Sequence, residues 1–227
     1  MADQQPSNVD QWLERETPRI RKALESASRY FDSNDNLTVN TLEAIYGQES
    51  SFGTMLGTRG STSAAGHFQF TPETAKRYGL SVSKNNDQRF DIDYASSAAA
   101  RYLKDLDTMF SKRTTLSRQR DTIAVTGGSE RRRFVLGAFN AGEGRVAAAQ
   151  RLAEKAGKNP QLWSDVAAYL AEETRRYVET VPRYGLEFAQ KSPADKSRKE
   201  KGVRKGKYRC TEGHWVTIDD RPVFICD

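Results

Sequence analysis

Between residues 18 and 190 the apolar side chains recur at helical intervals, and nowhere in that span do they sustain the period-two alternation of a strand. The body of the chain is therefore expected to be mainly α, a bundle-like domain of about eight short helices. Thr17-Pro18 supplies an N-cap and a first-turn proline ahead of Ile20, Leu24, Ala27 and Phe31. From Asp93 onward, Ala95, Ala98, Ala99, Tyr102, Leu103 and Leu106 share one face. Asn159-Pro160 reads as a further helix start, and Gly79 and Gly157 stand where C-cap glycines belong. Ahead of residue 18 lies a polar arm from which Trp12 is expected to pack back onto the body. No repeat of fixed period appears.

The chain has 227 residues, enough for one generous domain with a small appendage. Its net charge is +6, and all of it sits in Lys191 to Lys207, where six Lys and two Arg face Asp195 and Glu200. With Pro193, Gly202 and Gly206 and few apolar residues, that stretch reads as a solvated basic linker. The expected organisation is a main body over 1–190, the linker over 191–207, and an appendage over 208–227. In the appendage, Trp215 to Ile218 and Val223 to Ile225 flank Asp219-Asp220 as one β-hairpin. The two cysteines, Cys210 and Cys226, bracket it. A disulfide between them would close a loop of about 15 residues and contribute roughly 3 kcal/mol. The rival use of Cys210, His214 and Cys226 as metal ligands lacks a fourth ligand and matches no finger spacing. No stretch approaches the roughly 18 apolar residues of a spanning helix, and Met1 to Gln5 lacks the basic-then-apolar pattern of a leader peptide.

One acid falls on the wrong face. In Asn40 to Phe52, a capping-box-like pair, Asn40 and Glu43, precedes a buried stripe of Leu42, Ile45 and Tyr46. Seven residues after Leu42, and four after Ile45, comes Glu49. Partial burial and the negative end of its helix both disfavour its charged form, so its pKa is expected to be raised. A carboxylic acid still protonated near neutral pH is the proton donor that glycosidic cleavage requires. A glutamate at a helix end that reaches water or pairs with an arginine fits the same position.

Around Glu49 stand further marks in fixed order. Glu49-Ser50-Ser51-Phe52 is followed by a Gly/Ser/Thr-rich loop over 53–66 and by Gly66-His67-Phe68-Gln69. Farther on come Ala138-Phe139-Asn140-Ala141-Gly142 and Glu173-Thr174-Arg175-Arg176-Tyr177-Val178. This ordered set resembles the catalytic domain of the Slt-type lytic transglycosylases, whose marks are Glu-Ser, Gly-Leu-Met-Gln, Ala-Tyr-Asn-Ala-Gly and a late Tyr in Glu-Thr-x-x-Tyr-Val. Arg89 to Tyr102 and Asn159 to Val166 look most like the membrane-bound F group of that family. The likeness covers roughly 38–184. It implies a lysozyme-like fold related to goose-type lysozymes. His67-Phe68 departs from Leu-Met, and Phe139 from Tyr. The lipid-anchored cysteine and preceding solute-binding-like domain of the F group have no counterpart in this sequence.

The resemblance implies that Glu49 is the single catalytic acid and base. Ser50 and Gln69 would position the sugar, while Phe139, Asn140 and Tyr177 would complete the wall of the cleaved subsite. Each also fits a plainer part: helix-end polar residue for Ser50, loop hydrogen-bonder for Gln69 and Asn140, core aromatic for Phe139 and Tyr177. The implied reaction cuts the β-1,4 bond between N-acetylmuramic acid and N-acetylglucosamine in peptidoglycan and closes a 1,6-anhydro ring. No second acid declares itself, which favours ring closure over hydrolysis by the same fold. A hydrolytic muramidase or chitinase, and a non-catalytic wall-binding protein, are the alternatives. No cofactor and no metal are expected, with two His and no His-Glu-x-x-His. The loop over 53–66 lacks the Gly-Lys-Ser/Thr ending of a phosphate cradle, and Arg59 within it serves either substrate or the protein's own surface. Expected partners are peptidoglycan glycan strands, anionic wall polymers or lipid headgroups at the basic linker, and an inhibitor or immunity protein. Nucleic acid is not among them, since the linker brings no stacking platform or recognition helix. The expected place of action is the bacterial periplasm or cell wall, with a secreted, phage-borne or exported-effector route left open.

Overall fold

The computed structural model describes residues 5–116 and 120–191, and the backbone of 213–218 and 221–226. The chain divides into two compact units, Met1–Gln190 and Lys191–Asp227. Among the described residues the first is built of nine α-helices: α1 (Asn8–Arg15), α2 (Pro18–Ser28), α3 (Val39–Ser50), α4 (Pro72–Arg77), α5 (Ile92–Ser111), α6 (Gly128–Ala141), α7 (Glu143–Lys155), α8 (Trp163–Val166) and α9 (Glu172–Lys191). The mainly α expectation holds. Two-residue strands β1 (Thr115–Leu116) and β2 (Arg120–Asp121) pair antiparallel beside α7; strands so short leave no pattern to read.

Local chemistry explains most helix starts. Thr17 accepts from the Ile20 N–H at 3.2 Å, with Pro18 in the first turn of α2. Asp91 accepts from Asp93 N at 2.9 Å to open α5, whose Ala95, Ala98, Ala99, Tyr102, Leu103 and Leu106 are all buried. Gly79 and Gly157 have the positive φ of helix-ending glycines, +80° and +69°. Three expectations change. The arm before residue 18 is itself a helix, because Ser7 and Asp10 form a reciprocal capping box. The box that opens α3 is Thr38 with Thr41, not Asn40 with Glu43, and Glu43 turns into the core at 3% exposure. The helix expected at Asn159 starts at Trp163, because Asn159 Oδ1 accepts from Gln161 N at 2.9 Å and holds a turn there.

Helix α3 is the hub. Residues 41–47 are buried on every side, as a helix is when neighbours surround it. Trp12 of α1 lies over Gly47, where a Cβ would come 2.4 Å from the indole. It meets Tyr184 edge-on at 4.8 Å and stacks parallel to Phe188 at 6.1 Å, so α1 and α9 close over the same side of α3.

Past α3 the chain reverses through Ser51, Phe52 and Gly53, with φ of +48°, +59° and +85°. The loop that follows is fastened by Arg89, which is fully buried. Its guanidinium donates to the carbonyls of Ser61, Ser63 and Phe70 at 2.9–3.0 Å and grips Asp87 at 2.7 and 2.9 Å. Burial pushes the Asp87 carboxyl up, but Arg89 and the Gly60 N–H outweigh it and hold the group below the usual carboxylate range. Gly66 must be a glycine: its φ is +83°, and a Cβ would sit 2.1 Å from the Arg89 carbonyl oxygen.

In the second unit, β3 (Gly213–Ile218) and β4 (Arg221–Cys226) form the antiparallel hairpin read from the alternation, in register from Gly213 opposite Cys226 to Ile218 opposite Arg221. Cys210 lies outside the described residues, as does the basic stretch over 192–207. Among the described residues, no helix is long and apolar enough to cross a membrane.

Candidate active site

Glu49 stands where two hollows meet, one of about 560 Å³ and one of about 430 Å³; together they form a cleft with Glu49 and Asn140 on both of its limbs. The larger limb runs between the loop at Gln69–Thr74 and the α6–α7 corner, with Phe68, Phe139 and Tyr102 in its wall. The smaller runs along α9 past Tyr177, Thr180 and Tyr184.

Glu49 ends α3 half-buried, and Tyr177 Oη donates to its Oε1 at 2.7 Å. Burial pushes the Glu49 carboxyl up to about 7; the Tyr177 bond pulls the other way and the charge of Glu173 adds to the rise. With Tyr177 donating to Oε1, Oε2 is left to carry the acidic proton. The Tyr177 phenol is held well above its usual range by burial and by the Glu49 charge, so it stays a donor. Asn140 Oδ1 accepts from Thr174 Oγ1 at 2.8 Å, which tethers the Asn140 side chain to α9.

The remaining residues singled out in the sequence divide. Gln69, at φ +47°, lines the larger limb and donates through Nε2 to the carbonyls of Gly66 and Met55 at 2.8 and 3.2 Å. Phe139 also lines it, at 9% exposure, packed on Phe70 and Tyr102 at 5.9 and 5.3 Å. Ser50 is placed elsewhere: it is fully buried beneath the cleft, where its hydroxyl donates to Tyr46 O and His67 O and accepts from Gly53 N. Its contacts shape the reversal after Glu49. His67 meets Tyr46 Oη through Nδ1 at 3.1 Å, and burial lowers its pKa, so the ring is neutral at pH 7. Arg59 docks on the protein's own surface, over the Phe90 ring at 4.8 Å and onto Asp87 O.

Several cleft residues escaped the sequence reading. Thr174 could have been found, since it lies three residues before Tyr177 and so shares its helix face. Glu143 sits inside the motif Ala141-Gly142-Glu143, yet nothing in the sequence announces its partners: Arg77 donates to it at 2.6 Å and Tyr102 Oη at 2.9 Å. Burial alone pushes Glu143 up, but the Arg77 contact, its own N–H and the Tyr102 bond hold it below the ordinary range. Glu143 is thus ionised and already occupied; the third carboxyl lining the larger limb is Glu73, exposed in the first turn of α4. Among the described residues, no group of three or more His, Cys, Asp or Glu is arranged to hold a metal ion.

Residues 27–162 match the family model of the transglycosylase SLT domain. The chain is similar to the "Membrane-bound lytic murein transglycosylase D" of Escherichia coli strain K12, 33% identical over 115 residues, 51% of this chain and 21% of that protein. It is similar to the "Membrane-bound lytic murein transglycosylase F" of Shewanella loihica, 30% identical over 127 residues, 56% of this chain and 23% of that one. The protein of that name from Pseudomonas fluorescens is 27% identical over 175 residues, 77% of this chain and 31% of its own length. The chain therefore spans between a fifth and a third of the curated relatives it matches.

Proposed function

The chain belongs to the transglycosylase SLT domain family, and from that premise we propose that it is a peptidoglycan lytic transglycosylase with Glu49 as its single acid and base. Protonated Glu49 donates from Oε2 to the glycosidic oxygen between N-acetylmuramic acid and N-acetylglucosamine, while the sugar's own N-acetyl group stabilises the cationic centre. The resulting carboxylate keeps the Tyr177 bond and takes the proton of the muramoyl C6 hydroxyl, whose oxygen closes the 1,6-anhydro ring. One carboxyl gives and regains one proton, and no water is consumed.

The observation that carries this reading is the 2.7 Å bond between Tyr177 and a Glu49 whose pKa is about 7, near the value at which a group serves best as both acid and base at neutral pH. Hydrolytic glycosidases place a second carboxyl about 5–9.5 Å from the first. Of the two other carboxyls in the larger limb, Glu143 is engaged by Arg77 and Tyr102 and Glu73 is exposed in the first turn of α4; the engagement of Glu143 supports ring closure over hydrolysis. Gln69, Phe139 and Asn140 are assigned to the sugar-binding wall, and Ser50 to the support beneath it. Muropeptide analysis by mass spectrometry tests the proposal. Anhydro products one water lighter than reducing-end products are expected from the wild type and none from Glu49→Gln; reducing-end products would sink it.

In this reading residues 1–190 carry the reaction in the periplasm or wall. The segment over 191–207 is a basic tether for anionic wall polymers or lipid headgroups, and 208–227 an appendage closed by a Cys210 to Cys226 disulfide. Two reactive thiols under non-reducing, denaturing conditions would overturn the last point.

A further inference from the structure

Charge is spread unevenly along the cleft. The limb along α9 carries Glu172, Glu173 and Arg176, and Arg176 pairs with Glu172. The larger limb is lined by Arg77, Arg120 and Arg145, with Glu73 and Glu143 as its carboxyls besides Glu49. Beyond Arg120 the surface continues into a further hollow of about 350 Å³, which Arg113 and Arg151 line. Three of these guanidiniums are neutralised within the protein: Arg77 by Glu143, Arg113 by Asp121 and Arg151 by Glu154. Arg120 and Arg145 have no carboxylate partner among the described residues; the one bond the structure shows from either side chain runs from Arg120 Nη1 to the Gly144 carbonyl at 3.4 Å.

The wall beside these two is low. A Cβ on Gly142 would meet nothing within 4 Å, and one on Gly144 would meet only Arg120 Nη1, at 3.7 Å. An anionic substituent leaving a glycan in the larger limb thus finds open backbone and then two unpaired guanidiniums. The sugar backbone itself offers them no charge to bind. The acidic peptide stems on its muramic acid residues do, and guanidinium is the side chain best matched to carboxylate.

We propose that this end of the cleft is a carboxylate-binding site, in which Arg120 and Arg145 make the protein selective for glycan carrying acidic peptide stems. The inference rests on the reading of the cleft as a peptidoglycan site. It is tested by binding, so that it stands apart from the outcome of the reaction. The Glu49→Gln protein is titrated calorimetrically with a muropeptide tetrasaccharide whose stem carboxylates are free, and with the same compound after those carboxylates are converted to amides. The free form is expected to bind about tenfold tighter, the scale that two exposed guanidinium–carboxylate pairs supply together, with the ratio shrinking as salt is raised. Adding Arg120→Ala and Arg145→Ala should bring the ratio to about one; both positions are exposed, so the fold should survive. A ratio near one before those substitutions, or one that persists after them, overturns the proposal. Failure of the proposed reaction shows separately, as absence of anhydro product from the wild type.

Discussion

Tyr177 Oη, on α9, donates a 2.7 Å hydrogen bond to Oε1 of Glu49, at the end of α3 and 128 residues earlier in the chain. That bond favours the ionised form of Glu49, against the burial that favours the neutral one. Turnover should fall as pH rises through about 7, where the proton-donating form is lost. Tyr177→Phe removes the opposing influence, so the alkaline limb of the pH–rate profile should move to higher pH. The maximal rate should drop by about 10²-fold, the cost of a lost transition-state donor. An alkaline limb that stays in place would separate Tyr177 from the titration of Glu49.

Thr174 is buried at 3% exposure and fixes Asn140 through one hydrogen bond at 2.8 Å. Thr174→Val keeps the volume and deletes the donor. The Asn140 side chain then loses its tether, and KM should rise about threefold to tenfold, as expected for one hydrogen bond of about 1 kcal/mol. Steady-state kinetics on soluble glycan fragments with an unchanged melting temperature would bear this out; a lost fold would place Thr174 among the structural residues instead.

Glu43 of α3 has Oε2 buried and unpartnered, and burial, with the nearby Glu16, pushes its carboxyl up to about 8. In the unfolded chain the group ionises near its ordinary 4.5. Between those values the folded state binds more protons than the unfolded one, so stability is full below about 4.5 and is lost as pH rises to about 8. Each unit of that window corresponds to roughly 1.4 kcal/mol at most. Glu43→Gln should flatten the decline, measured by urea unfolding at pH 5 and pH 8. An unchanged slope would assign the pH dependence to other groups.

Arg89 and Asp87 are both fully sheltered in their side chains, so removing one partner strands a buried charge. Arg89→Met should cost roughly 3–5 kcal/mol. It should also release the loop over 53–66, seen as faster proteolytic nicking there. Adding Asp87→Leu should recover part of the stability by removing the stranded carboxylate, although the carbonyls of Ser61, Ser63 and Phe70 stay without their donor.

Helix type and most boundaries were legible because their causes are local. Thr17-Pro18, Gly79, Gly157 and the Ala95 to Leu106 stripe act within a turn or two of themselves. The first helix is not legible because its buried residues, Val9 and Trp12, are few and Trp12 docks on Gly47, a pairing no window along the sequence contains. Glu49 was visible as an acid on an apolar face. Its partner Tyr177 came only through the family resemblance, since contacts between α3 and α9 depend on how helices cross. Glu43 stands at the spacing of a cap without serving as one, because Thr38 and Thr41 form the box and spacing alone does not rank the two pairs. The charge of the cleft was also out of reach, because whether an arginine is spent within the protein depends on its neighbours in space.

The acidity of Glu49 belongs to the assembled structure and not to the residue. Its cover comes from α3, α6 and α9, segments that meet only when the first unit is complete, and a chain held unfolded carries an ordinary carboxylate, ionised at neutral pH and without a cleft. The raised pKa of Glu49 and the cleft that would use it therefore depend on the same packing of α3, α6 and α9, and neither exists without the other.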